Sequence, residues 1–525
     1  MHVIELPPDI STVSNADSST IESRMSQSYE LPAFLKNRPR TRIVCTIGPA
    51  TSSASMVERL IRQGMSVARL NLSHGSRADH EHFVATVREV ADRLNVSIGI
   101  LADLPGPKYR LGIMSEKGLR LKRNDQFTLY ANPRPGTVTG VNVWPIGLHR
   151  DVKKNARIML DEGKVEMRVV EVKGSDIVCR VTSGGPLTDN KAVTAPGNTS
   201  TLDYFTDETE VALQFAIDAD VDFIGLSYIR DISDLNRVRE RLNAAGRTAL
   251  LVSKIEIKQA VDNLDSILDA SDAVMVARGD LGVELPIEMV PGVQKRIIRR
   301  ANARGKPVIT ATQMLESMIE SPTPTRAEAT DIHNAVRDGT DAIMLSGETS
   351  IGRHPVRVVQ YMARIARRAE KFLDFEELSS RRREYAVSRH SSVGDAIAYN
   401  AVVAGQDLDG KVILAFTESG TTAARIASFR PRLPVLSLSP FPEVGRRLSL
   451  RWGVTPIQVM KYETVQDMFY TGSELALQTG YAKEGELAVA VVGMPIGVGG
   501  TTNLVRVISL PEPMPDVHRT YDEQD

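Results

Sequence analysis

The sequence has only two cysteines, two tryptophans and an aromatic share of 5%, and its charges nearly cancel. Cys45 and Cys179 are too few for a disulfide framework, and both lie in apolar stretches typical of buried thiols. Sparse cysteine favours a reducing, cytoplasmic setting. Because 64 basic residues oppose 65 acidic ones, no global field would attract nucleic acid or an anionic membrane. Any anion site must therefore be local.

Long apolar runs are also absent. No run reaches the roughly 18 residues that a membrane-spanning helix needs, and the N-terminus lacks a basic stretch followed by an apolar one. Neither membrane insertion nor secretion is therefore expected. Residues 1–38 are polar and rich in serine without a sustained period, which predicts a flexible N-terminal extension.

The rest of the chain has a globular composition, with 42% apolar and 25% charged residues, and a length that predicts roughly two to four domains. Short β-branched runs alternate with longer amphipathic segments, which is typical of strand–helix units around a parallel sheet. Eight such runs favour an α/β fold of the closed (β/α)₈ (TIM) barrel type over an open sheet. The runs are Arg42–Cys45, Ser66–Leu70, Ser97–Ala102, Phe223–Leu226, Ala249–Ser253, Ala273–Val276, Pro307–Thr310 and Ala342–Leu345.

The spacing of these runs indicates an insertion. Successive runs begin roughly 25–35 residues apart, except that about 120 residues separate the third from the fourth. The long gap contains strand-like alternation broken by Gly, Asn and Asp turn residues. We therefore predict a small antiparallel β-barrel domain at residues 108–203, inserted into a barrel made of residues 39–107 and 204–370.

A second α/β pattern begins after the barrel. It has a helix near Val393–Ala404 and strands at Val412–Phe416, Val435–Leu438 and Leu487–Val492. This pattern predicts a separate C-terminal α/β domain over residues 371–525.

Polar residues follow the ends of the barrel runs, where (β/α)₈ barrels collect their chemistry. Glu256 and Asp280 offer hard oxygen ligands that, with substrate oxygens, suit Mg²⁺. Lys254 and Arg69 can stabilise charge on a transferring phosphoryl group. The alternative for Lys254 and Glu256 is a surface ion pair, but residues two apart on a strand share a face, here the barrel mouth. The set predicts metal-assisted phosphoryl transfer.

The run Ala277-Arg-Gly-Asp-Leu-Gly places glycines where a strand turns into a helix, which exposes backbone N–H groups to an anion such as a carboxylate. Thr312 would add a hydroxyl donor to the same anion. The alternative, an N-cap for a helix at Gln313–Glu320, fits the sequence equally well.

Several long motifs closely resemble the pyruvate kinase family, from about Arg40 to Leu510. The motifs are TRIVCTIGPAT from Thr41, GMSVARLNLSHG from Gly64, VSKIE from Val252, VMVARGDLGVELP from Val274, ITATQMLESM from Ile309, PTRAEATD from Pro324, DGTDAIMLSGET from Asp338 and GTTNLVRV from Gly500.

The resemblance implies that phosphoenolpyruvate donates its phosphoryl group to ADP, giving pyruvate and ATP, the final step of glycolysis. It implies that Lys254 stabilises the phosphoryl group in flight and that Glu256 and Asp280 bind Mg²⁺, for which Mn²⁺ can substitute. It also implies a homotetramer regulated by a phosphorylated effector. The residues that would bind phosphoenolpyruvate are Arg69, Lys254, Gly279, Asp280 and Thr312.

Further roles follow from the same resemblance. Thr312 and Ser346, acting through water, would deliver the proton to the enol, while Glu348 supports that network. The residues that would lie toward the nucleotide are Asn71, His74, Arg110 and Lys191.

The chain departs from the family at one informative position. Where many members read Asp-Thr-Lys-Gly-Pro-Glu-Ile-Arg, this chain has Leu104 in place of the threonine and Lys108 in place of the glutamate. The family contains a K⁺-independent group that resembles this chain at these positions. The physical reason for the independence is that a lysine ammonium can supply the charge of the ion, while Leu104 removes a ligand oxygen. We therefore predict K⁺-independent activity; the alternative is neutral drift with K⁺ dependence intact. The residues of the monovalent-cation-like site are Asn71, Ser73, Asp103 and Lys108.

In the C-terminal domain, a run of hydroxyl residues and glycine follows a strand and opens a helix, where backbone amides can cradle a phosphate. It resembles the family's sugar-phosphate effector site, and the alternative is an ordinary capped helix. The candidate effector residues are Thr417, Ser419, Gly420, Thr421 and Thr422.

Two other functions remain open at this stage. A metal-dependent lyase acting on pyruvate or oxaloacetate could use Glu256 and Asp280 to hold an enolate, but it would leave the inserted domain and Lys191 without a nucleotide to cover. A non-catalytic scaffold that senses metabolites would not need to retain Lys254, Glu256, Asp280 and Thr312.

Overall fold

Eight parallel strands close into a barrel in the order in which they follow one another along the chain. This computed structural model describes residues 32–115, 119–198, 201–496 and 500–513. All eight predicted runs are confirmed as strands. The strands are Arg42–Thr46, Met65–Asn71, Gly99–Leu104, Phe223–Leu226, Leu250–Ile255, Ala273–Ala277, Val308–Ala311 and Ala342–Leu345.

The strands are buried on both faces, which explains their nearly continuous apolar composition. One face contributes a layer of side chains that fills the barrel interior. The third and fourth strands pair directly, with Leu101 opposite Phe223, although the inserted domain separates them in the chain. Closure of the barrel therefore brings the two ends of the insertion together at the barrel mouth.

Helices surround the barrel, and several begin at a Ser, Thr or Asp whose side chain accepts a hydrogen bond from the first turn. No described helix combines the length and the apolar character needed to cross a membrane. The helices are Ala54–Gln63, Arg77–Arg93, Asp207–Asp218, Ile232–Ala244, Lys258–Asp262, Leu264–Ala270, Arg278–Glu284, Val290–Ala303, Arg326–Arg337, Gly347–Ser350 and Pro355–Glu370.

The inserted segment forms a second closed barrel of seven strands with its own apolar core. Its pairs are antiparallel as predicted, except that Gln126–Tyr130 and Gly140–Trp144 run parallel, because the connection between them crosses over instead of forming a hairpin. The remaining strands of this barrel are Tyr109–Leu111, Arg157–Leu160, Val165–Lys173, Asp176–Ser183 and Ala192–Thr194.

The C-terminal domain is a five-stranded sheet with helices on both faces. The three predicted strands are present, and two more, Val454–Gln458 and Thr502–Ser509, flank them at the sheet edges. The other strands are Val412–Phe416, Val435–Ser439 and Leu487–Gly493, and the helices are Val393–Asp407, Thr421–Ser428, Pro442–Leu448 and Val465–Gln478, preceded by a linker helix at Phe375–Ser388.

This domain packs against the end of the barrel opposite the inserted domain. Leu450 belongs to the apolar cluster that fills the barrel interior. Arg446 pairs with Asp222 at 2.8 Å and Arg430 pairs with Asp341 at 2.9 Å, both just before barrel strands. Buried ion pairs therefore fix this domain to the N-terminal ends of the strands.

The predicted N-terminal extension lies mostly outside the described residues. Its final part, residues 32–38, differs from the flexible segment that we predicted, because it contains a short helix at Ala33–Lys36. Leu35 is buried and Phe34 packs against the barrel core, so apolar contacts anchor this short stretch.

Candidate active site

Asp103, at the end of the third barrel strand, organises two of the predicted cations. One carboxylate oxygen lies 2.7 Å from a guanidinium nitrogen of Arg69, and the other lies 3.0 Å from Nζ of Lys254. Burial favours the neutral acid, but Lys254 and Arg69 outweigh it and lower the pKa of Asp103. An ionised Asp103 therefore holds both cations at the barrel mouth.

Lys254 also contacts Glu256, and the pair is buried instead of lying on the surface. Nζ of Lys254 lies 2.9 Å from Oε1 of Glu256, and the two residues are only 9% and 1% exposed. Nζ also donates to Oγ of Ser227 at 2.7 Å. Burial opposes the charged ammonium, but Asp103 and Glu256 outweigh it and raise the pKa of Lys254. Lys254 is therefore a charged group fixed by three partners.

Asp280 is held from the other side of the mouth by Lys108 and Tyr228. Nζ of Lys108 lies 3.1 Å from Oδ1 of Asp280, and the Tyr228 hydroxyl donates to the same oxygen at 2.6 Å. Lys108 also contacts the Tyr228 hydroxyl and lies 4.9 Å from the centre of its ring. Burial favours the neutral acid, but Lys108 and Lys254 lower the pKa of Asp280. The result is a charged carboxylate at the start of helix Arg278–Glu284.

The four residues of the predicted monovalent-cation-like site do not form one cluster. Asn71 and Ser73 share a turn after the second strand, where Oδ1 of Asn71 accepts from the Ser73 N–H at 3.3 Å. Asp103 is occupied by Arg69 and Lys254. Among the described contacts, none joins Lys108 to these three residues, because its side chain turns toward Asp280. Lys108 therefore lies beside a predicted Mg²⁺ ligand.

Gly279 and Thr312 come together as the resemblance implied. The Gly279 N–H donates to Oγ1 of Thr312 at 2.8 Å. Thr312 and Gln313 have φ values of +66° and +53°, a left-handed conformation that is costly for a β-branched residue. The N-cap alternative for Thr312 is wrong, because only a short 3₁₀ turn, Glu316–Ile319, follows and Leu315 precedes it. Its hydroxyl is thus directed at the first turn of helix Arg278–Glu284.

Arg278, which sequence analysis left without a role, holds this strained loop in place. It contacts both carboxylate oxygens of Asp331 at 2.7 and 2.6 Å. It also donates to the carbonyl oxygen of Thr312 at 2.6 Å. A planar guanidinium can make both contacts at once, which a lysine ammonium cannot reproduce. Arg278 is therefore a positioning residue for Thr312.

We expect Arg278→Lys to lower the free energy of unfolding by about 2 kcal/mol, because a buried charge-assisted network is broken. We also expect KM for the carboxylate substrate to rise more than kcat falls, since Thr312 would lose its fixed position. Thermal unfolding and steady-state kinetics would measure both effects. A control, Arg300→Lys, changes an exposed ion pair with Asp265 and should leave both unchanged. A variant with unchanged KM would contradict the positioning role.

Glu348 is completely buried and accepts two backbone hydrogen bonds. Its carboxylate accepts from the Ser346 N–H at 2.6 Å and from the Leu315 N–H at 3.2 Å. It therefore ties the end of the eighth strand to the loop after the seventh. Glu348 orients Ser346 through the backbone, which is compatible with the supporting role that the resemblance implied.

The predicted nucleotide residues fall into two separate pairs. Arg110 and Lys191 are neighbours in the inserted domain, where Ala192 pairs with Arg110 across adjacent strands. Lys191 forms an ion pair with Asp161 at 3.2 Å. Asn71 and His74 lie in the loop after the second strand of the main barrel. The described hydrogen bonds and ion pairs do not join the two pairs.

The candidate metal ligands offer a donor set that fits Mg²⁺. Oδ1 of Asp280 is occupied by Lys108 and Tyr228, whereas Oδ2 has no partner among the described residues. Glu256 lies next to it and accepts from the Tyr228 N–H at 2.7 Å. Within the described residues, no group of three or more acidic, histidine or cysteine side chains could enclose a metal ion. Mg²⁺ needs only one or two carboxylates, with water and substrate oxygens completing its shell.

Sequence reasoning missed Tyr228, which connects the two candidate metal ligands to Lys108. Its N–H donates to Glu256 and its hydroxyl donates to Asp280, and its φ is +55°. Burial, with Asp280 and Glu256 adding to it, raises the pKa of its hydroxyl, so the phenol remains a donor. Tyr228 follows the end of the fourth strand by two residues, a position that could have marked it as a candidate site residue. It was missed because the candidates were chosen among charged and small polar side chains.

The candidate effector loop has an open arrangement at the start of helix Thr421–Ser428. The N-cap is Gly420, at φ +85°, and no side chain caps the helix. The capped-helix alternative is therefore wrong: Oγ1 of Thr417 accepts from the Gly420 N–H at 2.9 Å, and the Ser419 and Thr421 hydroxyls contact each other at 2.9 Å. Thr417, Ser419 and Thr422 border a small cavity of about 40 Å³, together with Glu418.

Comparison with known proteins gives consistent matches over both large domains. The chain matches the family models described as "Pyruvate kinase, barrel domain" over residues 38–359 and "Pyruvate kinase, alpha/beta domain" over residues 395–508.

Curated relatives and solved structures agree with these matches. "Pyruvate kinase 2" of Synechocystis sp. is 41% identical over 472 residues, which cover 89% of this chain and 79% of the relative. The pyruvate kinase of Clostridium acetobutylicum is 38% identical over 470 residues, which cover 89% and 99%. The crystal structure of a pyruvate kinase from Cryptosporidium parvum superimposes with a TM-score of 0.86 at 33% identity and covers 92% of this chain and 98% of that one.

Proposed function

The chain belongs to the pyruvate kinase family of enzymes, and from this membership we propose that it transfers the phosphoryl group of phosphoenolpyruvate to ADP with Mg²⁺ as cofactor. The observation that carries the proposal is the network around Lys254. A buried ammonium fixed by Asp103, Glu256 and Ser227 lies beside a second carboxylate and Arg69, at the mouth of the barrel. Such a cluster suits a polyanionic substrate, whose charge the cations and the metal would neutralise.

In this proposal the residues of the chain hold phosphoenolpyruvate at both of its anionic ends. The first-turn amides at Gly279 and Asp280, with the Thr312 hydroxyl, bind the carboxylate. Arg69 and Lys254 bind the phosphoryl group. Glu256 and Asp280 would hold Mg²⁺, which supplies positive charge to the phosphoryl oxygens when bound. Both ends of a small substrate would thereby be fixed on rigid strand ends.

The reaction breaks the bond between the enol oxygen and phosphorus and forms a bond from phosphorus to a terminal oxygen of ADP. Lys254 stabilises the charge of the phosphoryl group in transit. The enolate then takes a proton on carbon, delivered through water by Thr312 and Ser346, with Ser346 oriented by Glu348. Arg110 and Lys191 close over the nucleotide from the inserted domain, while Asn71 and His74 contact it from the barrel.

A coupled assay of pyruvate formation from phosphoenolpyruvate and ADP tests the proposed reaction. The expected result is turnover that requires both substrates and a divalent metal ion. Release of pyruvate without ADP would favour a phosphatase, and turnover of oxaloacetate without phosphoenolpyruvate would favour the lyase alternative.

We propose that the activity needs no K⁺, since the Lys108 ammonium already lies 3.1 Å from Asp280. A homotetramer and a cytoplasmic location also belong to the proposal, the first from the family and the second from the low cysteine content.

Allosteric regulation through the loop at Thr417–Thr422 completes the proposal. We expect Ser419→Asp to weaken binding of a phosphorylated effector at least about tenfold, because a carboxylate would repel the phosphate at the helix start. Calorimetric titration with a panel of sugar phosphates and nucleoside monophosphates measures the effect. The matched control is Ser419→Asn, which is nearly the same size without the charge. Absence of binding by the parent to the whole panel would sink the effector role.

A further inference from the structure

A second polar cavity lies between the barrel and the C-terminal domain, at the end of the barrel opposite the active site. Its volume is about 340 Å³. The barrel contributes the first residue of its fifth strand and residues just before its sixth and seventh strands. The linker helix contributes Arg382, and helix Thr421–Ser428 forms the opposite wall. We call it the interdomain cavity. Five cationic side chains line it, against two carboxylates.

Both carboxylates of the interdomain cavity already have partners. Asp272 pairs at 3.0 Å with Arg239, a residue that does not line the cavity. Asp272 also accepts a hydrogen bond from the Leu251 N–H at 2.9 Å. Asp395 pairs with Arg382 at 2.7 Å. One further cation, Arg304, pairs with two carboxylates on the neighbouring barrel helix, at 2.8 and 2.9 Å. Three of the five cations that line the cavity are therefore left without an ion pair among the described residues.

These three cations, Lys306, Arg425 and Arg451, have no carboxylate within ion-pair distance among the described residues. Lys306 and Arg451 each donate to a backbone carbonyl oxygen at 2.7 Å. Arg425 reaches only the Thr502 hydroxyl, at 3.5 Å. Its guanidinium packs against Gly394, where an added Cβ would lie 2.2 Å from one of its nitrogens. Three cations therefore line one cavity without an ion pair to any described carboxylate.

Burial opposes the charged form of Arg304, Lys306, Arg382 and Arg451, and nearby carboxylates offset its effect on the pKa to different degrees. Burial lowers the pKa of Lys306; Asp272 opposes the change only in part, and Arg451 adds to it. At Arg382 the pKa is lowered even beside Asp395, and at Arg451 Asp341 and Asp272 offset the effect of burial only in part. At Arg304 burial also acts against the charge, but Asp269 and Asp265 outweigh it and the pKa rises. Charged groups that are desolvated without a counter-ion destabilise a fold unless a ligand supplies the missing charge.

We propose that the interdomain cavity binds a small phosphomonoester or inorganic phosphate between Lys306, Arg425 and Arg451. Three cationic side chains around one cavity would supply donors for the three terminal oxygens of such a dianion. The volume suits a small organic phosphate, being at the lower end of ligand-sized pockets. Because the walls come from the barrel, the linker helix and the C-terminal domain, a bound dianion fixes these parts against one another. Thr421 lines this cavity and also belongs to the candidate effector loop, so the two sites are adjacent.

The test compares the full-length parent with a double variant, Lys306→Met with Arg425→Gln, using inorganic phosphate and glycerol 2-phosphate as probes. Calorimetry and thermal unfolding are measured against sodium chloride at equal ionic strength. We expect the affinity of the interdomain cavity for these probes to be about a hundredfold lower in the double variant than in the parent. The loss is roughly tenfold for each charge-assisted hydrogen bond removed. Phosphate binding that remains in the double variant reports the active site and the effector loop.

Two further measurements separate a ligand site from a purely structural role. Without added anion, the double variant should unfold at the same temperature as the parent or higher, because it removes repulsion between cations. The control Arg304→Gln should instead unfold at a lower temperature, because it breaks ion pairs with Asp265 and Asp269.

Crystals of the parent soaked in tungstate should show anomalous density between the three cations, and density confined to the other sites would overturn the proposal. Equal phosphate affinity of parent and double variant would overturn it as well, as would a lower unfolding temperature of the double variant without anion.

Discussion

Lys254→Met is expected to reduce kcat for pyruvate formation about a thousandfold, equivalent to about 4 kcal/mol of transition-state stabilisation. Among the described residues, the ammonium is the one cation that contacts both Asp103 and Glu256, at 3.0 and 2.9 Å, so no described neighbour can replace its charge on the phosphoryl group. Removing it also leaves Glu256 buried without a cationic partner. We therefore expect the free energy of unfolding to fall by about 3 kcal/mol. Coupled kinetics and chemical denaturation measure the two quantities.

The matched control for this variant is Lys258→Met. Lys258 follows the same strand by a few residues, but its side chain is 53% exposed and pairs only with Asp262 on the same helix. Its replacement should change both kcat and stability by little. If Lys254→Met kept a tenth or more of the parental kcat at saturating substrates and Mg²⁺, Lys254 would not stabilise the transferred group. Glycerol-stabilised assays at low temperature keep the comparison valid if the variant unfolds easily.

Lys108→Glu is expected to make the enzyme dependent on K⁺. In buffer with tetramethylammonium as the sole monovalent cation, the parent should work at full rate, whereas the variant should lose about a hundredfold in kcat/KM. The reason is that the attraction between Lys108 and Asp280 is lost and a repulsion between two carboxylates takes its place. Each of these two interactions amounts to about 4 kcal/mol at about 4 Å and an effective dielectric constant near 20, and solvent screening reduces both. Addition of KCl should restore most of the rate, because the ion returns the missing charge.

Two controls distinguish this exchange from simple damage. Lys108→Met removes the charge without creating an oxygen ligand for the ion, so its rate should fall but should not respond to KCl. The Mg²⁺ concentration for half-maximal rate should be measured for each variant, because Lys108 and Tyr228 share Oδ1 of Asp280. A parent enzyme whose rate rises many-fold when KCl replaces tetramethylammonium chloride would show that Lys108 does not substitute for the ion.

The barrel and the residues at its mouth were predictable from the sequence. The eight barrel strands were predictable, because strands buried on both faces carry unbroken apolar runs that the polar helices and loops interrupt. The candidate residues at the barrel mouth were predictable for a related reason. Parallel strands in a barrel all end at the same face, so Arg69, Lys254, Glu256 and Asp280 had to lie near one another once the runs were recognised.

The partners of these residues depended on the tertiary structure. Lys108 was grouped with Asp103 in the predicted monovalent-cation-like site; its ammonium contacts Asp280, which is 172 residues away in the chain. Arg69 and Lys254 already neutralise the charge of Asp103. The Lys108 ammonium instead neutralises Asp280. Tyr228 and Arg278 acquired their roles in the same way, through contacts between different strand ends.

By itself, the sequence determined the architecture and the chemical groups available at the barrel mouth, because hydrophobic periodicity and residue type are local properties of the sequence. Only the tertiary structure decided which charge pairs with which. Such pairing follows from barrel closure and side-chain rotamers, and these bring together residues that are far apart in sequence. The interdomain cavity has the same origin: its three unpaired cations come from separate elements, and only the docking of the C-terminal domain onto the barrel places them around one space.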